Sequence, residues 1–442
     1  MLKRKIYNEL LKWKLESKGK TALLIEGARR IGKSTIVEEF AKNEYETYIY
    51  IDLAFANDNI HSLFQDMNDL NYFFMQLQLI YGVNLKERES LIIFDEVQFS
   101  PKARQAIKKL VADGRYDYIE TGSLISINKN VKDILIPSEE RRLQMYPLDF
   151  EEFLWALGDE STMPLLDTVL KTKKPLGQAV NRELLRKFRL YMMVGGMPQA
   201  VLEYLESNNL ELVDKIKRDI IDLYEQDFYK IDANGKISGL YEKMPSELNR
   251  HTKNYQISSV FPNERKSTLI NELSELIASK TVLPSYNLND PNVGLSSLYD
   301  TNKFRLYSAD TGLLVTLMFR DKKFTENEIY KKMLSDKLPT NLGIIFENIV
   351  AQILVSRGYK LYYHTYYDSE QKRSFEVDFI ISKGSKIIPI EVKSSTYRSH
   401  TSLDKFTEKY SSRISDKIVI HTKDLSWKNG TLYLPIYMAQ LI

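Results

Sequence analysis

The sequence predicts an α/β protein organised on a parallel sheet, and three observations carry that prediction. The apolar run Thr21-Ala22-Leu23-Leu24-Ile25 leads into Gly27-Ala28-Arg29-Arg30-Ile31-Gly32-Lys33-Ser34, and an amphipathic segment follows through Phe40. Strand, glycine loop and helix in that order match the phosphate-binding pattern G-x-x-x-x-G-K-S. A second apolar run, Leu91-Ile92-Ile93-Phe94, closes on Asp95-Glu96, two carboxylates at the strand end where ligands collect on a parallel sheet. From residue 338 onward an apolar helical pattern is followed by three strand candidates, a second and smaller α/β unit.

Composition sets the outer limits. A chain of 442 residues exceeds the ~250–300 that one core serves, so several domains are expected. A net charge of +3 points neither to a protein that coats a polyanion nor to an acidic one, and any basic patch is local. The absence of cysteine excludes disulfides, thiolate metal sites and cysteine nucleophiles; it suits a reducing compartment, and the cytoplasm is the expected location. The N-terminus scatters Lys3, Arg4, Lys5, Lys12 and Lys14 among Ile6, Leu10 and Trp13, which rules against a signal peptide. No run approaches the ~20 apolar residues of a membrane span, so a soluble protein without a membrane partner is expected.

In chain order, the first 20 residues read as an amphipathic helix packed on the domain that follows. In the loop, Gly27 and Gly32 permit backbone angles closed to other residues, so the N–H groups from Ala28, Arg29, Arg30 and Ile31 through Thr35 can wrap a phosphate chain. The helix beginning near Lys33 adds its positive dipole end. Lys33 is placed to bridge the β and γ phosphates of ATP, and the Ser34 hydroxyl to ligate Mg²⁺. Residues 47–53 alternate as a second strand, and 60–81 form an aromatic-rich helix whose stripe reads as core.

The acids after Phe94 match the Walker B arrangement, with Asp95 on the metal and Glu96 as general base. Residues 116–120 form a further strand running into Thr121-Gly122-Ser123, where Ser123 is either a γ-phosphate sensor or part of a plain turn. Arg141-Arg142 precede a fifth strand, 143–147. Arg142 is either an arginine finger, acting in cis or from a neighbour, or a solvated surface arginine.

These residues, with Pro147-Leu148-Asp149-Phe150-Glu151-Glu152-Phe153, resemble the AAA-type ATPases of the archaeal-ATPase-like family, many of which end in a domain of unknown function. The first domain is placed at 1–157. Residues 158–180, with Gly158, Pro164, Pro175 and Gly177, read as a loop, and a helical lid follows over 181–235. Within the lid, Gly195-Gly196-Met197-Pro198 is a glycine helix stop with a proline restarting the next helix. It also resembles the Gly-Leu-Pro turn of related signal-transduction ATPases, which implies that Pro198 touches the adenine. Residues 236–325 look like a winged helix, with a short helix at 257–261, a second at 266–279, and a wing hairpin from 282–288 and 304–308. Lys266, Ser267, Thr268 and Asn271 would face a DNA groove, whereas Glu272 and Glu275 on the same helix favour packing against a partner domain.

The last domain, 338–442, opens with a helix from Gly343 and continues with strands at 360–367, 374–382 and 386–394. On alternation, Glu376 and Asp378 share one face, and Glu391 and Lys393 lie opposite Ile390 and Val392. The pattern resembles the restriction-endonuclease-like superfamily, with Glu347, Asp378, Glu391 and Lys393 at its motif positions and Val377 where a proline is usual. That resemblance implies Mg²⁺ or Mn²⁺ on Asp378 and Glu391, Lys393 beside the attacking water, and Glu347 in support; a salt-bridged hairpin is the alternative. The leading expectation is ATP binding and hydrolysis coupled to binding or cutting DNA. Its rivals are a nucleotide-controlled switch whose tail binds protein or nucleic acid without cutting, and an ATPase with no nucleic-acid partner. An oligomer is compatible with the sequence.

Overall fold

The computed structural model describes residues 1–122, 138–250, 254–264, 266–335, 343–369, 372–394 and 399–442, without the side chains of 266–268. The chain divides into two compact units: Met1–Tyr146 with Ala278–Lys280, and Pro147–Ile277 with Thr281–Ile442.

The first unit runs α1 (Ile6–Ser17), β1 (Ala22–Glu26), α2 (Lys33–Glu44), β2 (Thr47–Asp52), α3 (Asp58–Leu63), α4 (Leu70–Tyr81), β3 (Ser90–Asp95), α5 (Pro101–Asp113), β4 (Asp117–Gly122) and β5 (Glu140–Gln144). Among the described residues its five strands form one sheet in the order β2-β3-β4-β1-β5, every pair parallel. The interior strands β1 and β3 are mainly apolar and buried on both faces, as helices covering both sides of a parallel sheet require. The chain leaves β1 for strands on one side and returns to its other side with β5. The loop after β1 therefore lies at a topological switch point, where open α/β sheets bind ligands.

Three local expectations change here. The single helix over 60–81 is two, because Asn57 and Asp69 each cap a start, accepting from the N–H of Ile60 and Tyr72. The aromatic stripe is core only in part: Phe73, Phe74 and Leu77 are buried, while Tyr72, Met75, Leu79 and Ile80 are exposed. The fifth strand begins earlier than 143, so Arg141 and Arg142 lie within β5.

The second unit runs α6 (Phe150–Ala156), α7 (Thr162–Thr172), α8 (Gln178–Val194), α9 (Pro198–Ser207), α10 (Leu210–Ile231), α11 (Lys236–Leu248), α12 (Ile257–Val260), α13 (Lys266–Ala278), β6 (Val282–Leu288), β7 (Tyr299–Ser308), α14 (Thr311–Met318), α15 (Asn327–Leu334), α16 (Gly343–Ser356), β8 (Leu361–Asp368), β9 (Arg373–Val377), β10 (Phe379–Lys383), β11 (Lys386–Val392), α17 (Thr401–Lys409), β12 (Lys417–His421), β13 (Ser426–Lys428) and β14 (Thr431–Pro435). The expected loop at 158–180 contains α7. Pro164 stands in its first turn, where the missing N–H has no partner to lose. Among the described residues the strands form two sheets, β7-β6-β8-β9 and β10-β11-β12-β14-β13.

The strand expected over 374–382 is two strands in two sheets. Val377 ends the ladder with β8 opposite His364, and Phe379 begins the ladder with β10's partner β11 opposite Ile390. Asp378 is the hinge between them, so Glu376 and Asp378 do not share the face of one strand. The packing of Val377, Ile380, Ile387 and Phe406 into one core explains why the chain crosses there.

Candidate functional site

At the C-terminal edge of the first sheet, Asp52 pairs with Asp95 and Glu26 with both Gly122 and Gln144. The residues that follow or end these strands are therefore neighbours. Gly27 is needed because a Cβ there would lie 2.5 Å from the Met145 carbonyl. Gly32 caps α2 with φ of 93°, a left-handed conformation that suits glycine. Arg30 also adopts a left-handed backbone, at φ 67°. Arg4 pins the loop from outside, donating to the carbonyls of Ile31 (3.0 Å) and Tyr146 (2.6 Å).

Lys33 is buried and donates to the carbonyls of Gly27 (3.1 Å) and Ala28 (2.9 Å). Burial lowers its pKa, while the charges of Glu96 and Asp95 pull the other way. Ser34 Oγ donates to Asp95 Oδ1 across 2.9 Å. Two further hydroxyls converge on the same carboxylate: Thr121 donates to Oδ1 and Tyr50 to Oδ2. Hard oxygen donors of a serine and an aspartate at this separation suit Mg²⁺, which is held by few protein ligands and keeps several waters. Thr35 is exposed at the start of α2.

Glu96 sits at φ 53°, an uncommon backbone for a residue with a Cβ. Its N–H donates to Thr121 Oγ1 at 3.3 Å, and Gln98 Nε2 donates to its Oε2. The carboxylate is thereby aimed by the residues around it. Strained backbone held by its surroundings is a recurrent feature of functional sites. Neither Tyr50 nor Thr121 was identifiable as a site residue from sequence; the signal available was only that each lies near a strand end that becomes a neighbour of β3.

Arg142 is half-exposed and ion-paired in cis, with Glu140 at 3.1 Å and Glu26 at 3.6 Å. Glu140 is also gripped by the buried fork of Arg104 (3.1 Å), beside the fully buried Glu120, whose pKa is raised well above the carboxylate range by burial and by Glu140. Ser123 lies outside the described residues. Pro198 is the first residue of α9, after α8 stops at Gly195, as the glycine-proline pattern predicts.

The second unit assembles part of the C-terminal set. Asp378 Oδ2 accepts the Val392 N–H at 2.9 Å, and Lys393 Nζ lies 2.6 Å from Glu391 Oε1. Glu391 Oε2 is buried without a hydrogen-bond partner. Burial, then the charge of Asp378, raises the Glu391 pKa to about 7 against the opposing pull of Lys393. Glu376 instead pairs with the buried Arg305, whose guanidinium also lies over the Tyr363 ring at 4.0 Å. Glu347 is buried on α16, and its charge acts on that same arginine. Among the described residues no group of three or more His, Asp or Glu could hold a metal ion, so Glu347 does not complete a three-carboxylate site with Asp378 and Glu391.

Comparison with known proteins agrees with the first unit. Residues 19–154 match a family described as an AAA domain; residues 185–323 and 342–438 match two domains of unknown function, DUF8612 and DUF4143. The chain is similar to an uncharacterized protein, MJ1637, of Methanocaldococcus jannaschii, 24% identical over 213 residues, which is 46% of this chain and 42% of that protein. The match thus spans less than half the length of that curated relative. Solved structures similar to it include the Walker-type ATPase PABY2304 of Pyrococcus abyssi (14% identity, 72% of this chain and 96% of that one, TM-score 0.44). PCH-2 of C. elegans (13% identity, 48% and 65%, TM-score 0.27) is another. A third is the Orc1 protein of Aeropyrum pernix in complex with DNA (12% identity, 76% and 93%, TM-score 0.24). The parallel N-terminal sheet, with the glycine loop following β1, agrees with the AAA-domain match over residues 19–154. Among the described residues no helix is long and apolar enough to cross a membrane.

Proposed function

We propose that the chain binds Mg²⁺-ATP at the edge of its first sheet and hydrolyses it. The observation that carries the reading is the Ser34 to Asp95 contact beside the buried ammonium of Lys33. Lys33 exchanges its loop carbonyls for the β and γ phosphates, and the loop N–H groups with the α2 N-terminus hold the rest of the anion. Ser34 and Asp95 are the residues that would hold Mg²⁺, which when bound neutralises charge developing on the phosphates. Glu96, aimed by Gln98, takes the proton of the attacking water. Ser123 as sensor and Arg142 as finger complete the reading.

The second unit supports a nucleic-acid-facing output. Three helices followed by the β6–β7 hairpin support a winged helix, and α16, the sheet strands β10, β11 and β12, and α17 support a restriction-endonuclease-like core. The unpartnered Glu391 Oε2 next to Asp378 favours a two-carboxylate Mg²⁺ or Mn²⁺ site, with Lys393 beside it. The rival is a nucleotide-controlled switch in which the Lys393–Glu391 pair stays closed and the tail binds without cutting. Steady-state ATP turnover with duplex DNA, single-stranded DNA and RNA, at two salt concentrations, tests the coupling. A nucleic-acid partner raises turnover in a salt-sensitive way. Turnover indifferent to all three overturns the coupling, and no turnover at all overturns the ATPase reading.

A further inference from the structure

Asp95 has two oxygens, and the fold assigns them different partners. Oδ1 accepts from Ser34 at 2.9 Å and from Thr121, the two residues on the loop side of β3 and on β4. Oδ2 accepts only, among these hydroxyls, from Tyr50 on the opposite neighbour β2. Tyr50 stands directly across the ladder from Ile93, so its side chain lies on the same face as Asp95 two residues further along. A diagonal neighbour of that kind is beyond a short side chain and within reach of a tyrosine. The phenol is carried on a rigid ring with two rotatable bonds, and it is half-buried.

We propose that Tyr50 is a positioning residue for the metal: by holding Oδ2, it fixes the rotation of the Asp95 carboxylate so that Oδ1 stays turned toward Ser34. The inference rests on the Mg²⁺-ATP reading of this edge and adds to it a residue that no phosphate-loop or acidic motif contains. An ionised carboxylate is an acceptor only, so each hydroxyl that it engages narrows its orientation. Without the phenol, the carboxylate has Ser34 and Thr121 on one oxygen and no donor from β2 on the other. It then rotates more freely, and the ligand set for an octahedral cation is less pre-organised.

Tyr50→Phe removes the donor and keeps the ring. ADP and ATP are titrated into the full chain in excess EDTA and then across a Mg²⁺ series, and Mn²⁺ binding in the presence of ADP is read directly by paramagnetic resonance. The expected result is a metal-free nucleotide affinity equal to wild type and a Mg²⁺ or Mn²⁺ affinity about tenfold weaker, the scale of one hydrogen bond to a charged group. An unchanged metal affinity overturns the role of Tyr50 alone. A tighter one overturns it too, because the phenol would then be competing with the metal. Equal loss with and without metal means that Tyr50 only packs the edge. A wild type that binds no nucleotide, or binds it identically with and without Mg²⁺, overturns the Mg²⁺-ATP reading itself.

Discussion

Lys33 Nζ donates to the Ala28 carbonyl across 2.9 Å, folding the lysine back onto the loop that carries it. A buried ammonium needs such acceptors, and burial already lowers its pKa. Phosphate oxygens are the stronger acceptors, so nucleotide binding exchanges neutral partners for charged ones.

Lys33→Ala is therefore expected to abolish ATP binding, whereas Glu96→Gln keeps binding and lowers turnover by on the order of 10²–10⁴. Equilibrium binding of a fluorescent ATP analogue and single-turnover hydrolysis separate the two defects. Wild-type turnover in Glu96→Gln would remove Glu96 from the role of base.

A glycine in a helix ordinarily costs about 1 kcal/mol relative to alanine, so Gly312→Ala in α14 should stabilise the protein on propensity alone. Packing reverses the sign. A Cβ at Gly312 would lie 2.6 Å from both the Gly195 Cα and the Val194 carbonyl oxygen, backbone atoms that cannot swing aside. The Gly196 N–H donates to Asp310, the residue capping the same helix, at 2.6 Å. Chemical denaturation should show a loss of ~1–3 kcal/mol. A gain in stability would mean that the two segments are less tightly crossed.

Asp214 on α10 is buried and accepts from Tyr330 (2.8 Å), Thr316 (2.9 Å), the Thr325 N–H (2.8 Å) and Arg218 (2.7 Å). Lys217 is buried beside it, its pKa pushed down to about 8 by burial against the opposing charge of Asp214, and it donates to the Met193 carbonyl at 2.7 Å. Asp214→Ala leaves these donors and a cation without their acceptor. The expected cost is ~3–5 kcal/mol, read as a lower denaturation midpoint. A change under ~1 kcal/mol would show that solvent reaches the cluster.

Local signals made the phosphate loop and β3 legible. Two glycines, a lysine and a serine at fixed spacing define a backbone shape, and Leu91 to Phe94 is apolar because both faces of the strand are covered. What the sequence hid depends on distant partners. Tyr50 gains its role from Asp95, forty-five positions away, once β2 and β3 align. Arg4 reads as one charge on an amphipathic helix until its guanidinium meets the Ile31 carbonyl. Alternation from Phe375 to Phe379 looks continuous, yet the chain changes sheets at Asp378, a choice made by core packing rather than by period. Pro164 misled because a proline in a first helical turn resembles a proline in a loop.

Glu391 ties stability, pH and metal together. Burial first, and then Asp378, raises its pKa from 4.5 to about 7. Below pH 4.5 the group is protonated folded or unfolded and contributes nothing. Between the two values the folded state binds more protons, so stability falls as pH rises, and above pH 7 the full penalty of a buried charge remains. For a shift of this size the loss is about 3 kcal/mol. Glu391→Gln, which imitates the protonated acid, should be flat across that window and more stable than wild type at pH 7.5. A cation taken up by Glu391 Oε2 and Asp378 would offset the penalty. Mn²⁺ at pH 7.5 is then expected to raise the thermal midpoint of wild type and leave Glu391→Gln unmoved. Equal responses of the two proteins would place the ion elsewhere and leave Glu391 as half of an ion pair with Lys393, the arrangement that a non-cutting tail would have.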